Sequence, residues 1–483
     1  ATVPGGAGNV QDIYPLAPLQ EGILFHHLME QEGDPYLLPS LYAFSSRTQL
    51  DELLQAMQQV IDRHDILRTS LVWEGPDQPV QVVHRHAQLP VQELHFDASI
   101  GDVAAQLQAQ LDPKHTRIDI GQAPLLRCHL AEDPQNGRWL LHILAHHLAI
   151  DHTTLDLLVA EAEAIDQGLE ASLPAPVPFR QFVAQAKLGV SQAEHEAFFT
   201  QLLGDVDEPT APFGLLDVQG EFATMSRRLP AALSRAVRQQ ARRAGVSVAS
   251  LMHLAWALVL ARSSGRDDVV FGTVLFGRMQ GGEGNRGIGL FINTLPIRLH
   301  IGQQGALQAL KDAHALLAQL LRHEHATLAQ VQRCSGVVAP TPLFSGLLNY
   351  RYSPQAGQGS DDADAGVESL GVAERTNYPL CVDIDDLGTD FLLTAQVVEG
   401  ISPSRICDFL EHAITALVAA LADTPAVPLL QLDVLPAAER EQVVVGWNQT
   451  YQDLPLSSCV QELFEARVAA APDAIALVQP DLT

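Results

Sequence analysis

Stretches whose apolar residues recur every three to four positions alternate along the chain with short, almost wholly apolar runs. That rhythm predicts helices packed on buried strands. Leu50, Leu53, Leu54, Met57, Val60 and Ile61 form one apolar stripe, followed by Arg63-His64-Asp65-Ile66-Leu67-Arg68 and a strand over residues 69–73. A helix is also expected from Pro18 toward Met29, after a glycine-rich start that reads as linker. Strands from about Gln81 and from Leu125 lead to residues 139–145, an apolar run bounded by Pro134, Asn136 and Gly137, as expected of a buried strand. Leu155, Leu158, Val159, Ala162 and Ile165 then recur at helical spacing up to Gly168. Thr153-Thr154-Leu155-Asp156 carries capping-box spacing, with aspartate for the usual glutamate. The second half repeats the rhythm, with a helix over 231–244, an apolar helix over 247–262 and a strand over 268–274. Residues 168–178, rich in Pro and Ala, and 205–214, with Pro209 and Pro212, place a lobe junction in that region. Residues 355–365 lack a large apolar anchor and predict a mobile loop.

With 483 residues and 47% hydrophobic content the chain is too long for one ordinary core and apolar enough for two. The balance of 29 basic against 57 acidic residues, net −28, argues against nucleic acid or an anionic membrane as partner. The five cysteines are scattered without CxxC spacing, so neither a disulfide framework nor a structural zinc site is implied, and a reducing cytoplasm fits. No signal peptide opens the chain, and apolar runs such as 254–261 are too short to cross a bilayer. The absence of an initial Met and the abrupt end lead us to expect a piece of a longer polypeptide.

The candidate chemistry lies at the end of the apolar strand, in His146-His147-Leu148-Ala149-Ile150-Asp151-His152. Adjacent residues of an extended segment point to opposite sides, so one of His146 and His147 is expected to face a cavity and the other the structure. Asp151 is placed to accept a buried cationic partner, an architectural role. A neutral imidazole with a pKa of about 6.5 can take a proton from an amine or a hydroxyl, which suits acyl transfer or proton abstraction. Structural histidines and a metal site are the competing readings. No further His, Cys or Glu stands at supporting motif spacing, so no metal is expected. No GxSxG elbow frames a nucleophile, so the substrate is expected to carry its own activated acyl group.

The run resembles the HHxxxDG signature of the condensation domains of non-ribosomal peptide synthetases. Further segments in matching order are Tyr14-Pro15-Leu16-Ala17-Pro18-Leu19-Gln20-Glu21-Gly22, Arg63 to Thr69, and Gly289-Leu290-Phe291-Ile292-Asn293-Thr294-Leu295-Pro296-Ile297-Arg298. The resemblance implies an α/β fold of two α+β two-layer lobes, each similar to chloramphenicol acetyltransferase, forming a V-shaped pseudo-dimer around a tunnel. On that basis residues 1–11 are a linker from an upstream carrier domain, 12–180 and 181–440 the two lobes, and 441–483 a linker and the start of an adenylation domain. It also implies that His147, with His146 beside it in the signature, positions or deprotonates the acceptor amine. Asp151 matches the aspartate that pairs with an arginine, with Arg278 the candidate partner. His152 stands where the family has Gly and would narrow the tunnel or add an imidazole.

A second pair sharpens the subtype. His26-His27-Leu28-Met29-Glu30-Gln31-Glu32-Gly33-Asp34 resembles the HH(I/L)xxxxGD element of dual condensation/epimerization domains, with His27 expected to assist proton shuttling at the α-carbon. Cys459 to Glu465 and Pro472 to Leu477 look like the opening of an adenylation domain, which makes condensation part of the expected work. Asn377 to Leu380 and Leu343 to Tyr350 look like second-lobe segments near the tunnel. With His26, the residues Asn349, Tyr350 and Tyr378 are the tunnel candidates. The expected function is epimerization of a carrier-bound peptidyl thioester at its last residue, followed by peptide-bond formation with an aminoacyl amine on a downstream carrier. A condensation-only domain for a D-configured donor, a silent carrier-docking module and an acyltransferase using a free acceptor are the alternatives. No cofactor of its own is expected. The substrates ride on phosphopantetheine of upstream and downstream carrier proteins, next to an adenylation domain in the same polypeptide.

Overall fold

A computed structural model describes residues 4–218, 220–276, 287–352, 367–372, 376–452 and 458–475. Contacts divide the chain into a large unit, residues 1–434, and a small one, residues 435–483. The first lobe of the large unit runs β1 (Val10–Pro15), α1 (Pro18–Met29), β2 (Leu37–Phe44), α2 (Arg47–Arg63), β3 (Thr69–Val72), β4 (Val80–His84), β5 (Val91–Glu93), α3 (Val103–Gln110), β6 (Leu126–Asp133), β7 (Arg138–His146) and α4 (His152–Asp166). Helices α5 (Phe179–Leu188) and α6 (Gln192–Leu203) follow. The second lobe comprises β8 (Phe222–Arg228), α7 (Ala231–Ala244), α8 (Val248–Ser264), β9 (Asp268–Phe276), β10 (Ile292–His300), α9 (Ala306–Arg322), α10 (Leu328–Arg333), β11 (Gly346–Tyr352), β12 (Val367–Val372), β13 (Leu380–Asp386), β14 (Phe391–Val398) and α11 (Pro403–Asp423). The small unit carries α12 (Ala437–Val444) and α13 (Val460–Ala470).

Strand β7 reads as an almost wholly apolar run, interrupted by His142, because both its faces are covered. Leu141, Ile143 and Ala145 join one core with α2 and α4, while Leu140 and Leu144 join another with Val103, Ala104 and Leu107 of α3. The sheet order is β12-β2-β7-β6-β5. Its edge strand comes from the second half of the chain, pairing antiparallel to β2 with Val367 opposite Phe44. Thus the first lobe is completed partly by sequence from the second half. Val10 and Gln11, read from sequence as the end of a linker, belong to β1, where Val10 pairs with His84 and the register shifts across Gln11 before Asp12 meets Val83.

The second sheet runs β10-β9-β11-β13-β14-β8, with β11 parallel to both its neighbours. Helix α8 is buried from Ser250 through Ala261 and packs on α7, α9 and α11, which is why its apolar residues show no single stripe. Among the described residues no single helix is long and apolar enough to cross a membrane. The expected loop at 355–365 lies outside the described residues.

Candidate active site

The end of β7 is fixed by its backbone. The N–H of His146 donates to Leu125 O at 3.0 Å, and that of His147 donates to Tyr36 O at 2.9 Å. The two side chains part, as neighbours on an extended segment do. His147 stands on the wall of a cavity of about 780 Å³ between the lobes, whereas His146 is fully buried and is not among the lining residues.

His146 is held by a carboxylate. Its Nε2 lies 3.0 Å from Asp34 Oδ2, and the same oxygen lies 2.6 Å from His27 Nδ1. Asp34 Oδ1 accepts the N–H of Tyr36 at 2.9 Å. The N–H of Leu148 donates to His146 Nδ1 at 3.1 Å, which puts the imidazole proton on Nε2, facing Asp34. Burial alone would raise the Asp34 carboxyl, but hydrogen bonds from His146 and His27 hold it well below the usual carboxylate range. Burial in turn lowers His146, partly offset by Asp34, so the ring is neutral. The clasp depends on the loop before it. Gly33 adopts φ +67°, and a Cβ there would sit 2.3 Å from Lys114 O, so only glycine fits. Arg117 donates to the carbonyls of His27, Glu30 and Gly33, tying the helix end to the turn.

Sequence placed His27 at the chemistry, but the structure places it inside this clasp. Gln20, Ile23, Leu24 and His27 are the buried face of α1, and His26 on the other side lines the cavity. Gln20 adds a second tie, donating to Leu148 O at 2.7 Å.

Asp151 is the N-cap of α4, its Oδ1 accepting Thr154 N–H at 2.7 Å, so the cap lies two residues before the Thr153 spacing that suggested it. Its Oδ2 accepts the N–H of Phe291 at 3.1 Å, and Thr154 Oγ1 donates to Gly289 O at 2.6 Å. The signature aspartate therefore ties the first lobe to the segment that opens β10. Phe291 packs edge-on against Phe179 and Phe182 behind that tie. Arg278 and the side chain of His152, which opens α4, lie outside the described residues.

The second-lobe wall is the β11–β13 pair. Its parallel register sets Asn349 beside Asp383 and Arg351 beside Asp385, giving Asn349 Nδ2 to Asp383 Oδ1 at 2.8 Å and Arg351 Nε to Asp385 Oδ1 at 2.7 Å. Asn349, Arg351 and Asp383 line the cavity. Tyr350, the other expected tunnel residue on β11, is absent from the lining and points to the opposite face, because strand residues alternate; its hydroxyl donates to Asp386 at 2.6 Å. Tyr378 lines the cavity and stacks on Phe344. A second cavity of about 760 Å³ adjoins the first along Pro35, Leu328, Gln332 and Tyr378.

Asn293 on the cavity wall donates back to the carbonyls of Glu324 and Ala326 at 2.6 and 2.8 Å. The Glu324 side chain is buried, neither carboxyl oxygen accepts a hydrogen bond among the described residues, His325 Nε2 lies 3.7 Å from Oε1, and burial raises the carboxyl pKa to about 7. The folded protein thus keeps a proton that the unfolded chain releases near pH 4.5. Stability falls as pH rises from about 4.5 to 7 and then levels off. Buried His325, lowered to about 4, acts in the opposite sense over part of that window. The comparison with Glu324→Gln isolates the carboxyl: the variant is expected to gain about 2–3 kcal/mol on wild type between pH 5 and 8, read by urea denaturation.

The donor atoms of His27, Asp34 and His146 lie within 4.8 Å of one another, the residue types of a metal site. They do not fit one in this arrangement, because the Leu148 N–H occupies His146 Nδ1 and so leaves the proton on the nitrogen that would have to bind metal.

The two-lobed α/β structure thus sets an imidazole on an inter-lobe cavity that an aspartate ties across the lobes. The condensation-domain family model matches residues 10–444, and the chain belongs to that family, whose reaction in non-ribosomal peptide synthetases is peptide-bond formation. Malpinin synthetase of Mortierella alpina is 47% identical over 99% of this chain and 6% of its own length, and malpibaldin synthetase of the same organism is 47% identical over 100% and 9%. The chain therefore spans less than a tenth of these curated relatives. Among solved structures, a four-domain non-ribosomal peptide synthetase superposes with TM-score 0.71 at 17% identity over 89% of this chain and 34% of its own. The condensation domain of monacolin K polyketide synthase gives 0.68 at 20% over 87% and 100%. The X-domain of teicoplanin biosynthesis, in complex with OxyB, also gives 0.68, at 17% identity over 88% and 97%.

Proposed function

We propose that this domain first inverts the last residue of an L-peptidyl thioester and then joins the D product to an aminoacyl amine. The observation that carries the reading is that His147 and His26 line one cavity. Inversion needs a proton taken from one face of the α-carbon and returned to the other. His147 takes the α-proton, the electron pair passes into the thioester carbonyl as an enolate, and His26 returns a proton to the opposite face. Proton exchange with solvent resets both rings. The largely apolar wall, with Leu19, Ile23, Val274 and Ile292, excludes water and favours the transient enolate at the expense of hydrolysis.

In the second step the acceptor nitrogen attacks the thioester carbon. The C–N bond forms, the C–S bond breaks, and His147 passes the amine proton to the departing thiolate. The two adjoining cavities suit substrates delivered on the phosphopantetheine arms of an upstream and a downstream carrier protein, with an adenylation domain beyond, and the domain uses no cofactor of its own. An α-deuterated L-peptidyl carrier mixed with an aminoacylated carrier tests this. A D–L product without deuterium is expected. Condensation only of a preformed D donor would reduce the domain to condensation, and no transfer from either donor would favour a docking module.

A further inference from the structure

We propose that Asn349 is a specificity-determining residue whose side-chain oxygen accepts a hydrogen bond from an N–H of the bound substrate itself. The inference rests on the reading of the cavity as the condensation site, and it concerns what that cavity recognises.

Three observations combine. First, Asn349 lies on the cavity-facing side of β11, between Leu347 and Arg351 of the same face. Second, its carboxamide cannot turn freely: Nδ2 donates to Asp383 Oδ1 at 2.8 Å, an oxygen that can only accept while the buried carboxyl is ionised, so the amide oxygen is fixed at the other end. Third, Asn349 Oδ1 is itself buried and accepts no hydrogen bond among the described residues. A buried carbonyl oxygen without a donor is costly to keep. Here it faces a cavity that must receive molecules rich in N–H groups.

Two acceptors stand at this point of the wall, beside the Arg351 guanidinium, whose Nε donates to Asp385 at 2.7 Å and whose Nη2 lies 4.0 Å from Asp383. Asn349 offers a carbonyl oxygen and Asp383 a carboxylate beside it. Asn293, also on the wall, turns its NH2 end away toward Glu324 O and Ala326 O. Such a patch selects a hydrogen-bond donor, and the class of group it takes is an amide or amine N–H. Two sources supply one: the peptide N–H of the donor chain and the α-amine of the acceptor. A substrate lacking that N–H would leave Oδ1 desolvated and unpaired, which is how a polar site rejects an analogue.

The test uses binding, so that it reads out whether or not the domain condenses. Dissociation constants are measured by calorimetry for a dipeptidyl pantetheine donor mimic with a stable amide in place of the thioester, and for an aminoacyl pantetheine acceptor mimic. Each is paired with a counterpart lacking the N–H, an ester-for-amide dipeptide and a des-amino acceptor. Wild type is expected to bind one counterpart about tenfold more weakly than its parent, and the source is the member of the pair that shows the loss. Asn349→Leu is expected to weaken the parent by about tenfold and to leave its counterpart unchanged, removing the discrimination. Asp383→Asn, which keeps Asn349 but removes the acceptor that orients it, is expected to do the same in part. Equal weakening of parents and counterparts in Asn349→Leu, or no discrimination by wild type, would overturn the proposal. Failure of the condensation reading shows separately, as absence of product from wild type with intact discrimination in binding.

Discussion

His147→Ala is expected to lower the rate of peptide-bond formation by about 10²–10⁴-fold, the range that a positioned proton acceptor supplies. The side chain is on the cavity wall, and what fixes the motif is backbone: the His147 N–H to Tyr36 O bond survives the substitution. The fold is therefore expected to persist. His146→Ala makes the contrast. It removes a fully buried ring that joins Asp34 to Leu148, so its first effect is on stability, with activity lost through misplacement of β7. Single-turnover transfer between loaded carrier proteins, set beside thermal unfolding of the two variants, checks both statements. A His147→Ala protein that condenses at wild-type rate would remove this residue from the chemistry.

Asp34→Asn is expected to destabilise the large unit by about 3–5 kcal/mol, although it changes a single oxygen to nitrogen. Two imidazole N–H groups converge on Oδ2, and a carboxamide presents either one oxygen to them and its NH2 to Tyr36 N–H, or the reverse. Each orientation sets donor against donor. His27 can exchange its tautomer to accept, but His146 cannot, because Leu148 N–H already donates to its Nδ1. His27→Ala is expected to cost less, since Asp34 keeps His146 and Tyr36. Chemical denaturation of the two variants would show the order, and equal losses would mean that Asp34 is not the hub. The carboxylate's depressed pKa has a direction too. Its contribution is complete above the ordinary carboxylate range and fades only as the pH falls below about 4.

The pair His26-His27 shows what the sequence does and does not tell. The motif could be read, but which ring meets the cavity is decided by helical phase. Gln20, Ile23, Leu24 and His27 follow i, i+3, i+4, i+7 and mark the inner face, a pattern hidden because a glutamine stands among the apolar positions. The alternation that separates His146 from His147 also separates Asn349 from Tyr350 on β11. Helix α7 and strand β7 emerge within a residue of the bounds their patterns predict, because each carries its own periodicity and its own stops. Local pattern says nothing of partners distant in sequence. The pairing of β12 with β2, the seat of Asp383 beside Asn349 and the grip of Asp151 on Phe291 are set by tertiary register alone.

The proposal that one cavity serves two proton transfers is tested most directly by His26→Ala. With an L-peptidyl donor, the variant is expected to retain condensation of a D donor at near wild-type rate while losing the D–L product. Formation of the D–L product from the L donor at wild-type rate in His26→Ala would contradict the assignment of the second imidazole.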